Sequence, residues 1–103
     1  MMIKYFSEFL GTFFFVFVIL NAAKFQKWPA LTPILIVTGL LAAITISASV
    51  SGGHLNPAVS TAFSLTGDLP VTELAPYIGA QILGAVTAKY LFDYYSLYVA
   101  THS

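Results

Sequence analysis

Three long apolar runs separated by short polar stretches make up this chain, each near the roughly 20 residues that a helix needs to cross a bilayer. Tyr5 to Ala23 carries a single charge, Glu8, and predicts helix one over about residues 5–23. Lys24, Lys27, Trp28 and Pro29 form a polar connection, with a tryptophan suited to headgroup depth and a proline suited to the approach of the next helix. Ala30 to Val50 carries no charge. Thr32-Pro33 begins helix two, over about 32–50, and Gly39 with Ala43 gives it a small face for close packing. Thr66-Gly67-Asp68-Leu69-Pro70 reads as a turn and a helix start, leading into helix three over about 70–98 with a small stripe at Ala80, Gly84 and Ala88.

The stretch Ser51-Gly52-Gly53-His54-Leu55-Asn56-Pro57-Ala58-Val59-Ser60 is polar between apolar runs. Irregular backbone at membrane depth survives only where protein buries it or where it lines a wet cavity, because unpaired amide groups cost several kcal/mol each in hydrocarbon. Asn56 suits an N-cap and Pro57 the first helical position, so a re-entrant loop over 51–55 and a half-helix over about 56–65 are expected. The half-helix would point a partial positive charge of about half an electron inward. Gly52-Gly53 would let the preceding carbonyls turn toward a lumen. The expectation is an all-α membrane protein, three transmembrane helices plus one re-entrant half-helix, as a single domain over residues 1–103.

Composition supports a bilayer rather than water. Of 103 residues, 58% are hydrophobic and 8% charged, against about a quarter charged in soluble domains, and the mean hydropathy is +0.87. No nucleic-acid partner is implied by four lysines and no arginine, and the absence of cysteine offers neither disulfides nor a thiol site. There is no paired-carboxylate, nucleophile–base or phosphate-loop constellation, so no enzyme and no cofactor are expected. A signal peptide is the competing reading of the first run, since Lys4 and Asn21-Ala22-Ala23 imitate its flanks, but Glu8 interrupts that pattern. His54 has no carboxylate or second histidine at ligand spacing and is read as structural, with its ring bonded within the loop, rather than as a pH gate. Thr45, Ser47, Ser49 and Ser51 are read as helix–helix hydrogen-bonding residues, Lys89 and Asp93 as an i, i+4 pair at a tyrosine-rich end, and His102 as part of a frayed tail.

Asn56-Pro57-Ala58 after Ser51-Gly52-Gly53-His54 resembles the first signature loop of the aquaporin and aquaglyceroporin (major intrinsic protein) family. Glu8-Phe9-Leu10-Gly11-Thr12 resembles that family's first helix, Thr38 to Ser51 its second, and Tyr77-Ile78-Gly79-Ala80-Gln81-Ile82-Leu83-Gly84-Ala85 its third, so the likeness covers nearly the whole chain. It implies a passive channel for water and small neutral solutes such as glycerol, multi-pass in a plasma membrane. Asn56 and the carbonyls of Gly52, Gly53 and His54 would meet the solute, and Phe15, Ile36, Leu40 and Val59 would form the apolar wall. For Ile36 and Leu40, plain packing is the alternative. The resemblance also implies that Glu8 is a buried carboxylate holding the loop by hydrogen bonds, the alternative being an interfacial acid, and that Gln81 braces a second signature loop.

Only the family's N-terminal half is matched: there is no internal repeat, no second Asn-Pro-Ala, and no arginine to follow one. One half would leave its polar loop open to lipid, so a partner is expected. Lys4 on one side and Lys24 and Lys27 on the other give a weak or reversed positive-inside signal, compatible with a dual-topology chain pairing antiparallel with its own copy. A split gene product, and a non-conducting half-channel that binds full-length relatives, stay open beside it. The final stretch from Tyr98 to Ser103 carries no linker to a missing half.

Overall fold

Four α-helices and one 3₁₀ turn account for nearly every residue of the computed structural model, which describes residues 2–25 and 27–102 and leaves Met1, Gln26 and Ser103 outside the described residues. Helix α1 runs Met2–Phe25, α2 Thr32–Ser51 after a 3₁₀ turn at Pro29–Leu31, α3 Pro57–Leu65 and α4 Val71–His102. No strand occurs among the described residues, so the chain is all-α. Each long helix exceeds its sequence-based range: α1 starts earlier and ends later than 5–23, and α4 continues past Tyr98. His102, expected in a frayed tail, is the last residue of α4, its ring stacked 4.0 Å from that of Tyr98.

Helix α1 lies in the middle, packed on α2 along one side and on α4 along the other, while α3 packs on α4. At 1.5 Å per residue α4 is about 48 Å long, which is the long dimension of the 48 × 26 × 19 Å molecule. Small residues let the helices approach. A Cβ built on Gly84 would lie 2.5 Å from the backbone oxygen of Phe9, and one on Gly39 would lie 2.7 Å from Val18 Cγ1. The buried residues of α2, Gly39, Ala43, Ser47 and Ser51, recur every fourth position and so form one stripe. On α1, stacked rings at Phe6, Phe9, Phe13 and Phe17, 6.1 to 6.5 Å apart, continue to Tyr95 of α4.

The distribution of polarity is inverted relative to a water-soluble bundle. Glu8, Thr12, Ser47, Ser51, Ser60 and Gln81 are buried, whereas Ile46, Leu65, Leu41 and Val37 are among many large apolar side chains left exposed. Among the described residues two helical stretches, Met2–Phe25 and Pro29–Ser51, are long and apolar enough to cross a membrane. Hydroxyls within α2 bond mostly to their own helix: exposed Thr45 donates to Leu41 O and buried Ser47 to Ala43 O, each at 2.7 Å. The expectation that these serines and threonines bond between helices is therefore corrected for Thr45 and Ser47. An i−4 carbonyl is always within reach of a helical hydroxyl, so it is taken first. Ser49 is exposed, and Ser51 alone of the four reaches another helix, at Glu8.

Close approach at Gly84 makes a specific demand. Gly84→Ala would press a methyl group into the α1 backbone and force the helices apart, costing about 1 to 3 kcal/mol. Gly79, with open space around its Cα, accepts the same change. In detergent melts followed by circular dichroism, Gly84→Ala should unfold well below the parent and Gly79→Ala at or above it; equal melting of the two would show that α1 and α4 are not in backbone contact.

Candidate functional site

The site is built where α2 stops. Gly52 takes a left-handed conformation, φ 92°, and its N–H closes the helix by bonding Ala48 O at 3.0 Å. Gly53 at φ 63° and Leu55 at φ 57° follow, so three residues in four lie in the left-handed region and reverse the chain. Leu55 is not a glycine, and a residue held there costs on the order of 1 to 3 kcal/mol. It is held from two directions. Its N–H donates to Glu8 Oε1 at 2.8 Å, and its buried side chain fills a notch at Gly11, where a Cβ would lie 2.5 Å from Leu55 Cδ2.

Asn56 then starts α3. Its backbone is extended, φ −160°, and its Oδ1 accepts from Ala58 N at 2.8 Å while Pro57 occupies the first turn without an amide to satisfy. Asn56, Pro57, Ala58 and Val59 are exposed, and the opposite side of the same helix is tied down through fully buried Ser60.

Four donors converge on fully buried Glu8. Oε1 accepts from Leu55 N at 2.8 Å and Gln81 Nε2 at 2.9 Å; Oε2 accepts from Ser51 Oγ at 2.6 Å and His54 N at 3.1 Å. The carboxylate's acceptor capacity is thereby filled by loop and helix donors, with no cation among them. Glu8 is not an interfacial acid. Gln81 Nε2 also donates to Ser60 Oγ at 2.9 Å, and Ser60 Oγ lies 2.8 Å from His54 Nδ1. Ser60 Oγ, accepting from Gln81, thus also ties down the His54 ring at Nδ1. That ring is stacked on Phe63, 4.8 Å between centroids, and tilted against Tyr77 at 5.2 Å. Gln81, assigned by resemblance to a second loop, here directs its amide nitrogen at the Glu8 carboxylate that holds the loop and at Ser60 of α3, because α4 packs on both α1 and α3.

The apolar wall residues are only partly assembled. A cavity of about 260 Å³ is lined by Phe15 with Asn56, Pro57, Thr12, Leu55 and Gln81. Exposed Val59 does not line it, and neither do Ile36 and Leu40, half-buried on α2, which shares no packed face with α3 among the described residues. Other members of the site went unread in the sequence. Ser60 joins Gln81 to His54, Ser7 Oγ lies 2.9 Å from Ser51 Oγ, and Tyr77 OH donates to Ser51 O at 2.7 Å. Register held a signal for two of them: Ser60 is four residues after Asn56, and Tyr77 four before Gln81, each on one helix face.

Because every group around Glu8 is a donor, Glu8→Leu would leave buried donors unpaired at roughly 1 to 3 kcal/mol each. Glu8→Gln keeps one acceptor oxygen and turns an amide against donors, so its loss should be intermediate. Detergent melting temperatures should fall in the order parent, Gln, Leu; a Glu8→Leu protein as stable as the parent would show that the carboxylate does not hold the loop.

Comparison with known proteins extends this geometry to a family. The major intrinsic protein family profile matches residues 1–102. Glycerol uptake facilitator protein-like 6 of Lactiplantibacillus plantarum is 43% identical over 90 residues, covering 84% of this chain and 40% of the relative. Aquaporin Z of Brucella melitensis biotype 1 is 39% identical over 95 residues, covering 85% and 42%. Aquaporin TIP2-1 of Arabidopsis thaliana is 36% identical over 112 residues, covering 96% and 45%. The chain thus spans about two fifths of the length of these relatives. With a profile match across almost its full extent and its loop carried on a buried glutamate, this chain belongs to the major intrinsic protein family, a family of channels rather than enzymes.

Proposed function

We propose that this chain is a subunit of a passive membrane channel for water and small neutral solutes such as glycerol, its pore completed by a second copy in antiparallel orientation or by a longer relative. The observation that carries this reading is the loop itself: Asn56 to Val59 are exposed on one side of α3 while Glu8, Gln81 and Ser60 anchor the other. A chain that spends a buried carboxylate on presenting a polar helix start needs something to meet it. In this reading α1, α2 and α4 span the bilayer of the plasma membrane and α3 is a re-entrant half-helix. The overhang of α4 beyond a hydrocarbon core of about 30 Å carries its tyrosines to the interface.

Water passes in single file, donating to the carbonyls of Gly52, Gly53 and His54 and accepting from the Asn56 amide, whose oxygen is already engaged at Ala58 N. Two half-helix N-termini facing each other oppose cations and protons. Phe15 already borders the cavity at Asn56 and Pro57, and Ile36, Leu40 and Val59 complete the wall across the partner boundary. A symmetric pair places Val59 directly after Asn56-Pro57-Ala58, in the first turn of both half-helices, so no fixed cation narrows the filter and glycerol enters more freely than in an arginine-bearing pore. No cofactor takes part.

Stopped-flow shrinkage of vesicles holding the purified chain, with cross-linking to read its assembly, tests the proposal. The parent should raise water and glycerol permeability, Asn56→Asp should cut water flow or open a cation leak, and Val59→Arg should cut glycerol more than water. Cross-linked pairs without any added permeability would instead favour a non-conducting half-channel that modulates full-length relatives.

A further inference from the structure

Tyr77 is the buried aromatic residue of the site to which the carboxylate network assigns no role. It is 3% exposed, and its hydroxyl donates to Ser51 O at 2.7 Å, capping a terminal carbonyl of α2 at the residue where the loop begins. This bond joins α2 directly to α4, two helices with no packed face in common among the described residues. The Tyr77 ring lies 5.2 Å from His54 on one side and edge-on to Tyr5 at 5.9 Å on the other. Tyr5 OH donates to Glu73 at 3.1 Å, and Lys4 Nζ is 2.5 Å from the same carboxylate. Glu73 and Tyr77 are one turn apart on α4, and Lys4 and Tyr5 are neighbours on α1. A continuous run of contacts therefore leads from an ion pair at the shared end of α1 and α4 to the first carbonyl of the loop.

We infer that Tyr77 is a positioning residue for the Ser51–Leu55 loop, and that the Lys4–Glu73 pair, acting through Tyr5, holds Tyr77 in place and so couples the charged end of α1 and α4 to the carbonyl line of the loop. The physical basis is the loop's own weakness. Its amides at His54 and Leu55 are fixed by Glu8, but the start of the turn at Gly52 and Gly53 is glycine, and Ser51 O must be held if the carbonyls after it are to keep one direction. Burial leaves that oxygen no water to turn to. Loss of the Tyr77 hydroxyl frees it to rotate, and loss of the ion pair loosens the ring that carries the hydroxyl.

The effect on solute passage rests on the channel reading, but the positioning itself is measured without it. Amide hydrogen exchange across residues 53–55 is followed for the purified chain in lipid nanodiscs. Tyr77→Phe should raise exchange there by about tenfold, the scale of one net hydrogen bond, while Tyr94→Phe, at a 73% exposed tyrosine, leaves it unchanged. Glu73→Gln and Tyr5→Phe, which leave the loop's own bonds intact, should raise it in the same direction by less. Unchanged exchange in Tyr77→Phe overturns the positioning role, and unchanged exchange in both Glu73→Gln and Tyr5→Phe overturns the coupling. In vesicles, Tyr77→Phe should lower water permeability without a matching drop in melting temperature. A parent that passes no water overturns the channel reading alone, because the exchange experiment still decides the role of Tyr77.

Discussion

A carboxylate buried without a cation organises this chain. Glu8 sits on the central helix, and its two oxygens take the N–H groups of His54 and Leu55, the hydroxyl of Ser51 and the amide of Gln81. Each of those donors would be costly if left alone in a medium without water, and so would the charge; meeting, they satisfy one another. The arrangement explains why α1 lies between α2 and α4. Only a residue in the middle can reach the end of α2, the loop and the face of α4 together. It also explains how Leu55, a branched side chain in a left-handed conformation, persists: its amide is anchored from one side and its side chain is seated at Gly11 from the other.

Around that centre polarity is turned outside in. Buried Leu55 and Leu69 apart, the interior is made largely of small or hydrogen-bonded residues such as Ala43, Ala88, Ser47, Ser60 and Gln81, while many leucines, isoleucines and valines face outward. In a bilayer the outward groups meet lipid as apolar as themselves, so helix association draws on close packing and internal hydrogen bonds rather than on expulsion of water. Backbone approach at Gly84 and Gly39 supplies the packing, and the Glu8 network supplies the bonds. The result is an asymmetric α3: one side is fixed through Ser60, and the side bearing Asn56 and Val59 is exposed.

Much of this was legible in the residues. Long uncharged runs can be satisfied in lipid only as helices, so α1 and α2 follow from hydrophobicity and length, and the order of cap, proline and apolar positions marks the start of α3 at Asn56. Helix ends were less legible because α1 and α4 continue into polar residues, where pairing across helices, as at Lys4 and Glu73, supports turns that periodicity alone would end. The hydroxyls of α2 show the limit in the other direction. A serine at membrane depth announces a need for a partner, and nothing local says whether the partner is its own helix, as for Ser47, or another, as for Ser51.

By itself the sequence determined which segments are helical, that the first two long ones are apolar enough to cross a membrane, and that a capped helix begins inside a polar stretch, because each of these depends on neighbours within one or two turns. Which residues would share the buried carboxylate was decided only by the tertiary structure, since Glu8 lies 43 to 73 positions from its partners and meets them through the crossing of α1 with two other helices. Likewise the direction of Gln81 toward the Glu8 carboxylate, the node at Ser60 and the reach of Tyr77 to Ser51 O are set by which faces of α4 turn inward. The wall of Phe15, Ile36, Leu40 and Val59 illustrates the same division. Residue type marked these side chains as apolar, and packing brought Phe15 alone of the four to the cavity at Asn56; Ile36 and Leu40 stay apart from it because α2 and α3 do not pack on each other among the described residues.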